Sequence, residues 1–184
     1  MTGLLDTMNL PRHTISTVAR AVPMPGNSVL VPLYAGADLL DAFAIQVPVE
    51  ASDDLEVLAR IALERPAWWI RALTKIRDVV MATVGVKSSR AVGLAGAAQG
   101  RVIGYLPLLA QSATELVLGA DDLHLDFRVS VQVRADAAQG RELLVGTVVH
   151  CHNRLGRIYL AVIAPFHRVI LRANLERAAR EMRT

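Results

Sequence analysis

The stretch that decides the fold is LHLDFRVSVQVR, residues 123–134. Leucine, phenylalanine and valine occupy its odd-numbered positions, while histidine, aspartate, arginine, serine and glutamine occupy the even-numbered ones. This alternation is typical of a β-strand that turns one face to a core and the other to water. A second strand-like segment, 142–152, follows a turn at 135–140, so we predict that the two segments pair as an antiparallel hairpin.

The segments on either side of this hairpin supply further strands and helices. Asp53 and Glu56 have the spacing of a helix capping box, and Pro66 is placed to end one helix and begin the next. Pro165 is predicted to kink or split the last helix. In chain order we predict a strand at 41–49, helices from 53 and from 66, a loop at 85–100, strands at 102–109 and 115–119, the hairpin, and a long helix at 157–183.

A strand, two helices, a run of antiparallel strands and a final helix place the chain in the α+β class. We predict a curved antiparallel sheet packed on the long C-terminal helix, an order shared with the helix-grip (START/Bet v 1-like) architecture. Residues 1–35, punctuated by proline and glycine, are predicted to form a weakly ordered or surface-hugging N-terminal arm with a short strand near Val29. Residues 36–184 are predicted to form a single α+β domain.

Composition excludes several classes of protein. Hydrophobic residues make up 53% of the 184 residues and the mean hydropathy is +0.36, which excludes a disordered chain. Charged residues interrupt every window of about eighteen residues, so we expect no membrane span and no secretory signal. The single cysteine, Cys151, fits a reducing compartment, and we expect a cytoplasmic protein. Cys151 itself is predicted to be a small buried hydrophobe.

The positive charge is concentrated at the C-terminal end. The net charge is +3, and residues 157–184 hold six arginines against two glutamates. A basic helix of this kind can bind nucleic acid or an anionic membrane surface, but it is more often a solvated face. No nucleic-acid recognition motif accompanies the charge, and the chain has few aromatic residues for stacking on bases. We therefore expect no nucleic-acid partner.

The hairpin gathers histidines and an aspartate if its turn is centred near 137–138. Residues whose numbers sum to about 276 then lie opposite each other, which places Asp126 across from His150 and His124 across from His152. An HxD beside an HxH is an adequate ligand set for zinc or iron, and a carboxylate-oriented histidine is an adequate general base. The alternatives are a ligand-contacting polar patch or a solvated structural cluster, which is the commoner outcome. We predict no metal site and assign no catalytic residue.

Two short motifs at the last helix also have alternative interpretations. Asn153, Arg154 and Arg157 form an anion site at the helix start, or Asn153 bonds its own backbone in a turn where Gly156 is strained; we favour the turn. The run PFHR, 165–168, either lines a pocket with His167 pointing inward or only fits the helix to a curved sheet. The candidate ligand-binding residues are His124, Asp126, Arg128, His150, His152, Asn153, Arg154, Tyr159 and Phe166.

Three stretches of the sequence resemble a known family. They are LHLDFRVSV at 123–131, TVVHCHNRLGRIYLAVIAPFHRVI at 147–170 and PAWWIRALTKIRDVV at 66–80. Together they are similar to the bacterial domain-of-unknown-function family 2867, with the resemblance extending over residues 36–182. The resemblance implies one compact domain and an association with short-chain dehydrogenase-like proteins. It implies no established activity, substrate or catalytic residue.

The predicted fold favours a binding function over catalysis. We predict a module that binds an apolar or amphipathic small molecule in a hydrophobic cavity between the sheet and the last helix. The first alternative is an accessory domain that is associated with oxidoreductase-type proteins and whose apolar residues form a homodimer or partner interface. The second is a metal-dependent or acid–base enzyme that uses the hairpin histidines. The sequence assigns no cofactor.

Overall fold

The structure, a computed structural model, describes residues 16–64, 100–136 and 140–183. The predicted helix from 66, nearly all of the predicted loop at 85–100, the tip of the hairpin turn and the first 15 residues lie outside the described residues. The described elements are strands β1 (Arg20–Val22), β2 (Leu39–Gln46), β3 (Val102–Ile103), β4 (Leu106–Gln111), β5 (Glu115–Asp121), β6 (Leu125–Asp136) and β7 (Gly140–Cys151), a 3-10 turn (Val31–Leu33), and helices α1 (Leu55–Leu63) and α2 (Arg154–Glu181).

The predicted α+β fold class is confirmed. The described strands form one antiparallel sheet in the order β1-β2-β7-β6-β5-β4-β3, which is curved and does not close into a barrel. The long helix α2 packs across one face of this sheet and contacts β2, β7 and α1. This is the helix-grip arrangement, in which a curved sheet holds a helix in its concavity.

The hairpin has the register that brings Asp126 beside His150, which the sequence had left open. Asp126 pairs with His150 and Leu125 with Cys151, so the residue numbers of each pair sum to 276. The backbone N–H of His152 donates to the carbonyl of His124 at 2.9 Å and extends the pairing by one step. Because side chains alternate between faces, this register places Asp126 and His150 on the same face of the sheet.

The main core lies between the sheet and the two helices. Val131 of β6 and Val145 of β7 are completely buried there. Leu58 of α1 and Leu175 of α2 are equally buried and pack in the same cluster. Since burying one aliphatic side chain contributes about 1.5–3 kcal/mol, these contacts fix both helices over one face of the sheet.

The other face of β6, predicted to be wet, is covered at its centre and partly exposed at Asp126, Arg128 and Arg134. Ser130 is fully buried and Gln132 is 4% exposed. Residues 22–37 run over this outer face, where Leu30 packs against Val117 and Val148. The prediction was wrong for Ser130 and Gln132, because periodicity shows that one face of a strand is polar but does not show what lies over it.

The segment over the outer face has a strand, but not where the sequence suggested. The predicted strand near Val29 is wrong, since Val29 is 62% exposed and lies outside any strand. The strand forms at Arg20–Val22, where Val22 pairs with Ala42 on the edge of β2. An unpaired strand edge offers a full row of backbone hydrogen bonds, which a turn segment lacks.

A buried carboxylate fixes this segment to the sheet. Glu115 at the start of β5 is 5% exposed. Its side chain accepts hydrogen bonds from Ser28 Oγ at 2.5 Å, from Ser130 Oγ at 2.5 Å and from the backbone N–H of Val29 at 2.9 Å. The bonds to Ser28 and Val29 cross from the covering segment to the sheet, so Glu115 joins the two.

The helix starts differ from the predicted ones by a few residues. Asp54, rather than Asp53, caps α1 by accepting from the backbone N–H groups of Glu56 and Val57. Asp53 instead forms an ion pair with Arg141 at 2.6 Å. The predicted strand at 102–109 is divided into β3 and β4 by Gly104, whose φ of +67° favours glycine.

Helix α2 is a single continuous helix from Arg154 to Glu181, and Pro165 lies within it and does not split it. It begins earlier than predicted because Asn153 caps it, with Oδ1 accepting from the N–H of Gly156 at 3.0 Å. The predicted strained turn at Gly156 is therefore wrong, since Gly156 is helical. A Cβ atom at this position would lie 2.1 Å from the carbonyl oxygen of His124, so the chain needs glycine there for close approach.

Candidate functional site

The hairpin cluster predicted from the sequence is assembled, but its members bond separately. His152 Nε2 lies 2.9 Å from Asp126 Oδ2, which is a diagonal contact across the two strands. His150 Nε2 lies 2.8 Å from the carbonyl oxygen of Leu33 in the covering segment. His124 Nδ1 lies 3.1 Å from Asn153 Nδ2. Each polar group therefore has its own partner, and the four side chains do not converge on one point.

A small cleft borders this cluster on the outer face. It has a volume of about 220 Å³ and is lined by Leu33, Asp126, Arg128, Val148 and His150. Small-molecule sites usually have about 300–1,000 Å³, so the cleft is small for a ligand. Within residues 16–64, 100–136 and 140–183, no group of three histidine, cysteine, aspartate or glutamate side chains is arranged to hold a metal ion.

The other candidate residues lie in different surroundings. Arg128 forms an ion pair with Asp121 at 2.5 Å on the outer face. Arg154 is exposed at the start of α2, and Tyr159 is 8% exposed on the side of α2 that faces the sheet. Phe166 is 48% exposed. The nine candidates therefore do not form a single site.

The interface between the sheet and α2 contains a second set of polar residues, which lies between two apolar clusters. One cluster is the main core, reached by Phe43 on β2 and Leu171 on α2. The other, which we call the Leu39 cluster, consists of Leu39, Leu125, Val149, Cys151, Tyr159 and Leu160.

Between these clusters, β2, β7 and α2 each contribute one polar residue. Asp41 lies between Leu39 and Phe43 on β2, and Thr147 lies between Val145 and Val149 on β7. Asp41 and Thr147 are direct partners in the β2–β7 register. His167 of α2 faces them, with Nε2 at 3.4 Å from Asp41 Oδ1. We call Asp41, Thr147 and His167 the polar layer.

The polar layer has buried atoms without hydrogen-bond partners. They are Asp41 Oδ1, Thr147 Oγ1 and His167 Nε2, and Thr147 as a whole is only 3% exposed. The second oxygen of Asp41 accepts from Arg168 Nε at 3.1 Å. Buried polar atoms in folded proteins nearly always have a partner, and an unpaired one costs about 1–3 kcal/mol. Thr147 Oγ1 therefore requires an explanation, as do Asp41 Oδ1 and His167 Nε2, which face each other at 3.4 Å without a hydrogen bond.

None of these three residues is among the nine candidates predicted from the sequence, and His167 points inward only in the less favoured interpretation of the PFHR run. The inward alternative for His167 describes its observed position, because the side chain faces the sheet and is 26% exposed. Asp41 and Thr147 were not singled out as site residues. The signal was present, since each interrupts an apolar i, i+2 pattern: Leu39-x-Asp41-x-Phe43 and Val145-x-Thr147-x-Val149. Nothing in the sequence shows that these two interruptions pair across strands.

The start of α2 does not form an anion site, which was the less favoured of the two interpretations. Asn153 already occupies the N–H of Gly156. The Asp38 carboxylate lies beside the helix start, where it accepts from the backbone N–H of Cys151 at 2.7 Å and from Arg157 Nε at 3.3 Å. The first of these bonds is the largest cause that holds the pKa of Asp38 below its usual value. The chain thus supplies its own anion at this position.

Cys151 is buried in the Leu39 cluster, as predicted. Burial raises the pKa of its thiol, and the Asp38 carboxylate raises that pKa further. Because the thiolate is the reactive form, we expect iodoacetamide at pH 8 to alkylate the folded protein at least about tenfold more slowly than the urea-unfolded protein. Mass spectrometry of timed samples measures both rates. Equal rates would contradict the buried position.

Helix α2 has an apolar stripe on its exposed side. Ile158, Val162, Phe166 and Val169 are 64%, 56%, 48% and 57% exposed. Their spacings of four, four and three residues place them along one side of the helix. Of the described helices, α2 alone is long and apolar enough to cross a membrane by length and composition, a criterion that core helices of soluble proteins also meet.

Comparison with known proteins gives one match. The model of the family described as "Protein of unknown function (DUF2867)" matches residues 33–174. No curated protein and no solved structure matches the chain. The matched range includes β2, the hairpin, and α2 as far as Asn174, and therefore all three residues of the polar layer.

Proposed function

We propose that this chain, which belongs to the DUF2867 family of proteins of unknown function, binds an amphipathic small molecule between the sheet and α2. The observation that carries this proposal is the polar layer. Thr147 Oγ1 has no hydrogen-bond partner inside this otherwise apolar interface, and Asp41 Oδ1 and His167 Nε2 face each other at 3.4 Å without a hydrogen bond. A ligand with one polar group and an apolar body supplies partners for these atoms and contacts for the side chains around them.

Protein interiors rarely keep such a group without a use for it. The stabilities of folded proteins are about 5–15 kcal/mol, so unpaired atoms at about 1–3 kcal/mol each use a large part of that margin. Sites that bind a polar group accept this cost in the free state and recover it on binding. The polar layer fits this pattern, whereas the hairpin cluster does not, because its polar atoms are already bonded.

The polar layer also reaches the protein surface at one side. The side chain of Asp41 is 12% exposed and that of His167 is 26% exposed, while neighbouring Arg168 is 51% exposed. We propose that a small molecule enters the interface past α2 on this side. Phe127 packs against both apolar clusters and is only partly buried.

A fluorescent apolar probe tests the proposal directly. We expect N-phenylnaphthylamine to bind saturably to the protein, and the substitution Ala164→Trp to abolish this binding, because Ala164 packs against the Leu39 cluster beside the polar layer. Ala161→Trp is the matched control, since it adds the same indole to an exposed position of the same helix. Loss of binding in the control alone would place the probe outside the interface. Absence of saturable binding to the unsubstituted protein would reject the proposal.

The unpaired hydroxyl of Thr147 gives a second test. Valine has the same shape without the hydroxyl, so we expect Thr147→Val to raise the free energy of unfolding of the ligand-free protein by about 1 kcal/mol. Urea titration followed by circular dichroism measures this change. Thr147→Ser is the control, because it keeps the hydroxyl and loses only a methyl group. A Thr147→Val protein less stable than the unsubstituted one would show that the hydroxyl is paired in solution.

The exposed stripe on α2 favours a second candidate function, self-association. Apolar side chains that line one side of a surface helix are typical of an interface, and a two-fold dimer uses the same patch on both copies. This candidate retains the prediction of a homodimer and is independent of the polar layer. In it, two copies pack through Ile158, Val162, Phe166 and Val169.

Light scattering coupled to size-exclusion chromatography tests the second candidate. We expect the unsubstituted protein to elute as a dimer and Val162→Arg to elute as a monomer, because a charge in the middle of the stripe opposes its burial. Val49→Arg is the control, since Val49 is 86% exposed and lies outside α2. A monomeric unsubstituted protein at micromolar concentration would reject this candidate.

A further inference from the structure

The chemistry of the polar layer narrows the class of ligand. Resting on the function proposed above, we propose that the group bound there is an uncharged hydroxyl and that the layer discriminates against carboxylates. The inference rests on the hydrogen bonds that the layer has left open and on its charge. Neither depends on the identity of the apolar part of the ligand.

The atoms of the polar layer that lack hydrogen bonds fit a ligand group that can donate as well as accept, and a hydroxyl does both. An ionised aspartate only accepts hydrogen bonds, and Asp41 Oδ1 faces His167 Nε2 at 3.4 Å without a hydrogen bond between them, so we infer that a donating group of the ligand binds Oδ1. Thr147 Oγ1 lies on the cross-strand partner of Asp41 and can either donate or accept. A ligand hydroxyl donates to Asp41 Oδ1 and accepts from Thr147 with the same oxygen atom. A carboxylate has no proton to give to Asp41.

The charge of the layer is already balanced. The Asp41 carboxylate pairs with the Arg168 guanidinium at 3.1 Å, and these opposite charges cancel. A second carboxylate would bring a negative charge beside Asp41 in a partly buried site, where Arg168 is already paired with Asp41. Burying an unpaired charge costs far more than burying a hydroxyl that is hydrogen-bonded. The balance therefore favours a neutral group.

The surroundings of the layer fit a hydrocarbon body. Phe43 and Phe127 lie on the sheet side, and Ile163 and Leu171 lie on the α2 side. These four side chains belong to, or pack against, the two clusters that flank the layer, so an apolar chain extends from the hydroxyl into either cluster. We infer a hydroxyl-bearing hydrocarbon, such as a long-chain alcohol, as the ligand class.

Competition against the apolar probe tests this inference. We expect dodecanol at pH 8 to displace N-phenylnaphthylamine from the unsubstituted protein with a dissociation constant at least about tenfold lower than that of dodecanoate. The two competitors differ only in the head group. Equal displacement by the alcohol and the carboxylate, or a preference for the carboxylate, would overturn the inference. The proposed function would survive that result, since the probe itself had bound. Failure of the probe to bind would instead reject the proposed function.

Two variants test whether the polar layer causes the preference for dodecanol over dodecanoate. Asp41→Asn removes the negative charge, and we expect the preference for dodecanol to fall below about threefold through tighter binding of dodecanoate. Asp53→Asn is the matched control, because the Asp53 side chain is 96% exposed and distant in the fold from the layer. We expect Thr147→Val to weaken dodecanol about fivefold and to leave the probe unaffected. An unchanged preference in Asp41→Asn would show that the charge of Asp41 does not select the ligand.

Discussion

Replacing Gly156 with alanine is expected to destabilise the protein by about 3 kcal/mol, at the upper end of the usual cost of overpacking. The new Cβ atom would lie 2.1 Å from the carbonyl oxygen of His124, which is backbone and does not rotate away. The same carbonyl accepts from the N–H of His152 at 2.9 Å, so moving it also disturbs the end of the hairpin. Urea unfolding followed by circular dichroism measures the change.

The sign of this result separates packing from helix propensity. Alanine is preferred over glycine in a helix interior by about 1 kcal/mol, so propensity alone predicts stabilisation. Gly26→Ala is the control, because a Cβ atom added to Gly26 would meet nothing within 4 Å and Gly26 has no positive φ. We expect that variant to change the free energy of unfolding by less than about 0.5 kcal/mol. A stabilised Gly156→Ala protein would contradict the close approach of α2 to the β5–β6 turn.

The second large effect is expected at Glu115. Glu115→Gln at pH 7 is expected to lower the free energy of unfolding by about 2 kcal/mol, because hydrogen bonds to a charged group contribute about 1.5–3 kcal/mol. Burial opposes ionisation of this carboxyl, but the bonds from Ser130, Ser28 and the Val29 N–H outweigh it and hold the pKa of Glu115 below its usual value. We also expect the covering segment, residues 22–37, to pack less tightly on the sheet once the charge of Glu115 is removed, because Ser28 and Val29 belong to this segment.

The lowered pKa of Glu115 also fixes the direction of the pH dependence. A depressed folded-state pKa stabilises the protein above the unfolded value of about 4.3, and this contribution disappears as the pH falls through the folded-state value. The loss of stability between pH 5 and more acidic conditions should therefore be smaller in Glu115→Gln than in the unsubstituted protein. Glu50→Gln, at an exposed position, is the control and should leave the pH profile unchanged. Parallel pH profiles for all three proteins would contradict the bonded state of Glu115.

Much of the fold was predictable because it depends on local patterns. The alternation along 123–134 indicated the face of β6 that meets the core, whereas the register in which Asp126 opposes His150 was one of those that the sequence left open. The boundaries were less accurate. The start of α2 moved because Asn153 caps the helix, and a cap depends on one side chain rather than on periodicity.

The candidate site was only partly predictable for a different reason. The histidines of the hairpin were found because they are close in sequence to the turn that pairs them, yet the structure gives each a separate partner. The polar layer joins β2, β7 and α2, which come from distant parts of the chain. A polar residue within an apolar strand pattern is visible in the sequence, but its partners are set by which strands become neighbours.

The sequence by itself determined the α+β class, the pairing of the two hairpin strands and the burial of Cys151, because periodicity and turn signals are properties of a continuous segment. Only the tertiary structure decided the register of the hairpin, the covering of the centre of the polar face of β6 by residues 22–37, and the meeting of Asp41, Thr147 and His167 between two apolar clusters. Both results depend on contacts between segments far apart in the chain. Such contacts follow from the summed burial and pairing of whole elements, which no single stretch of sequence contains.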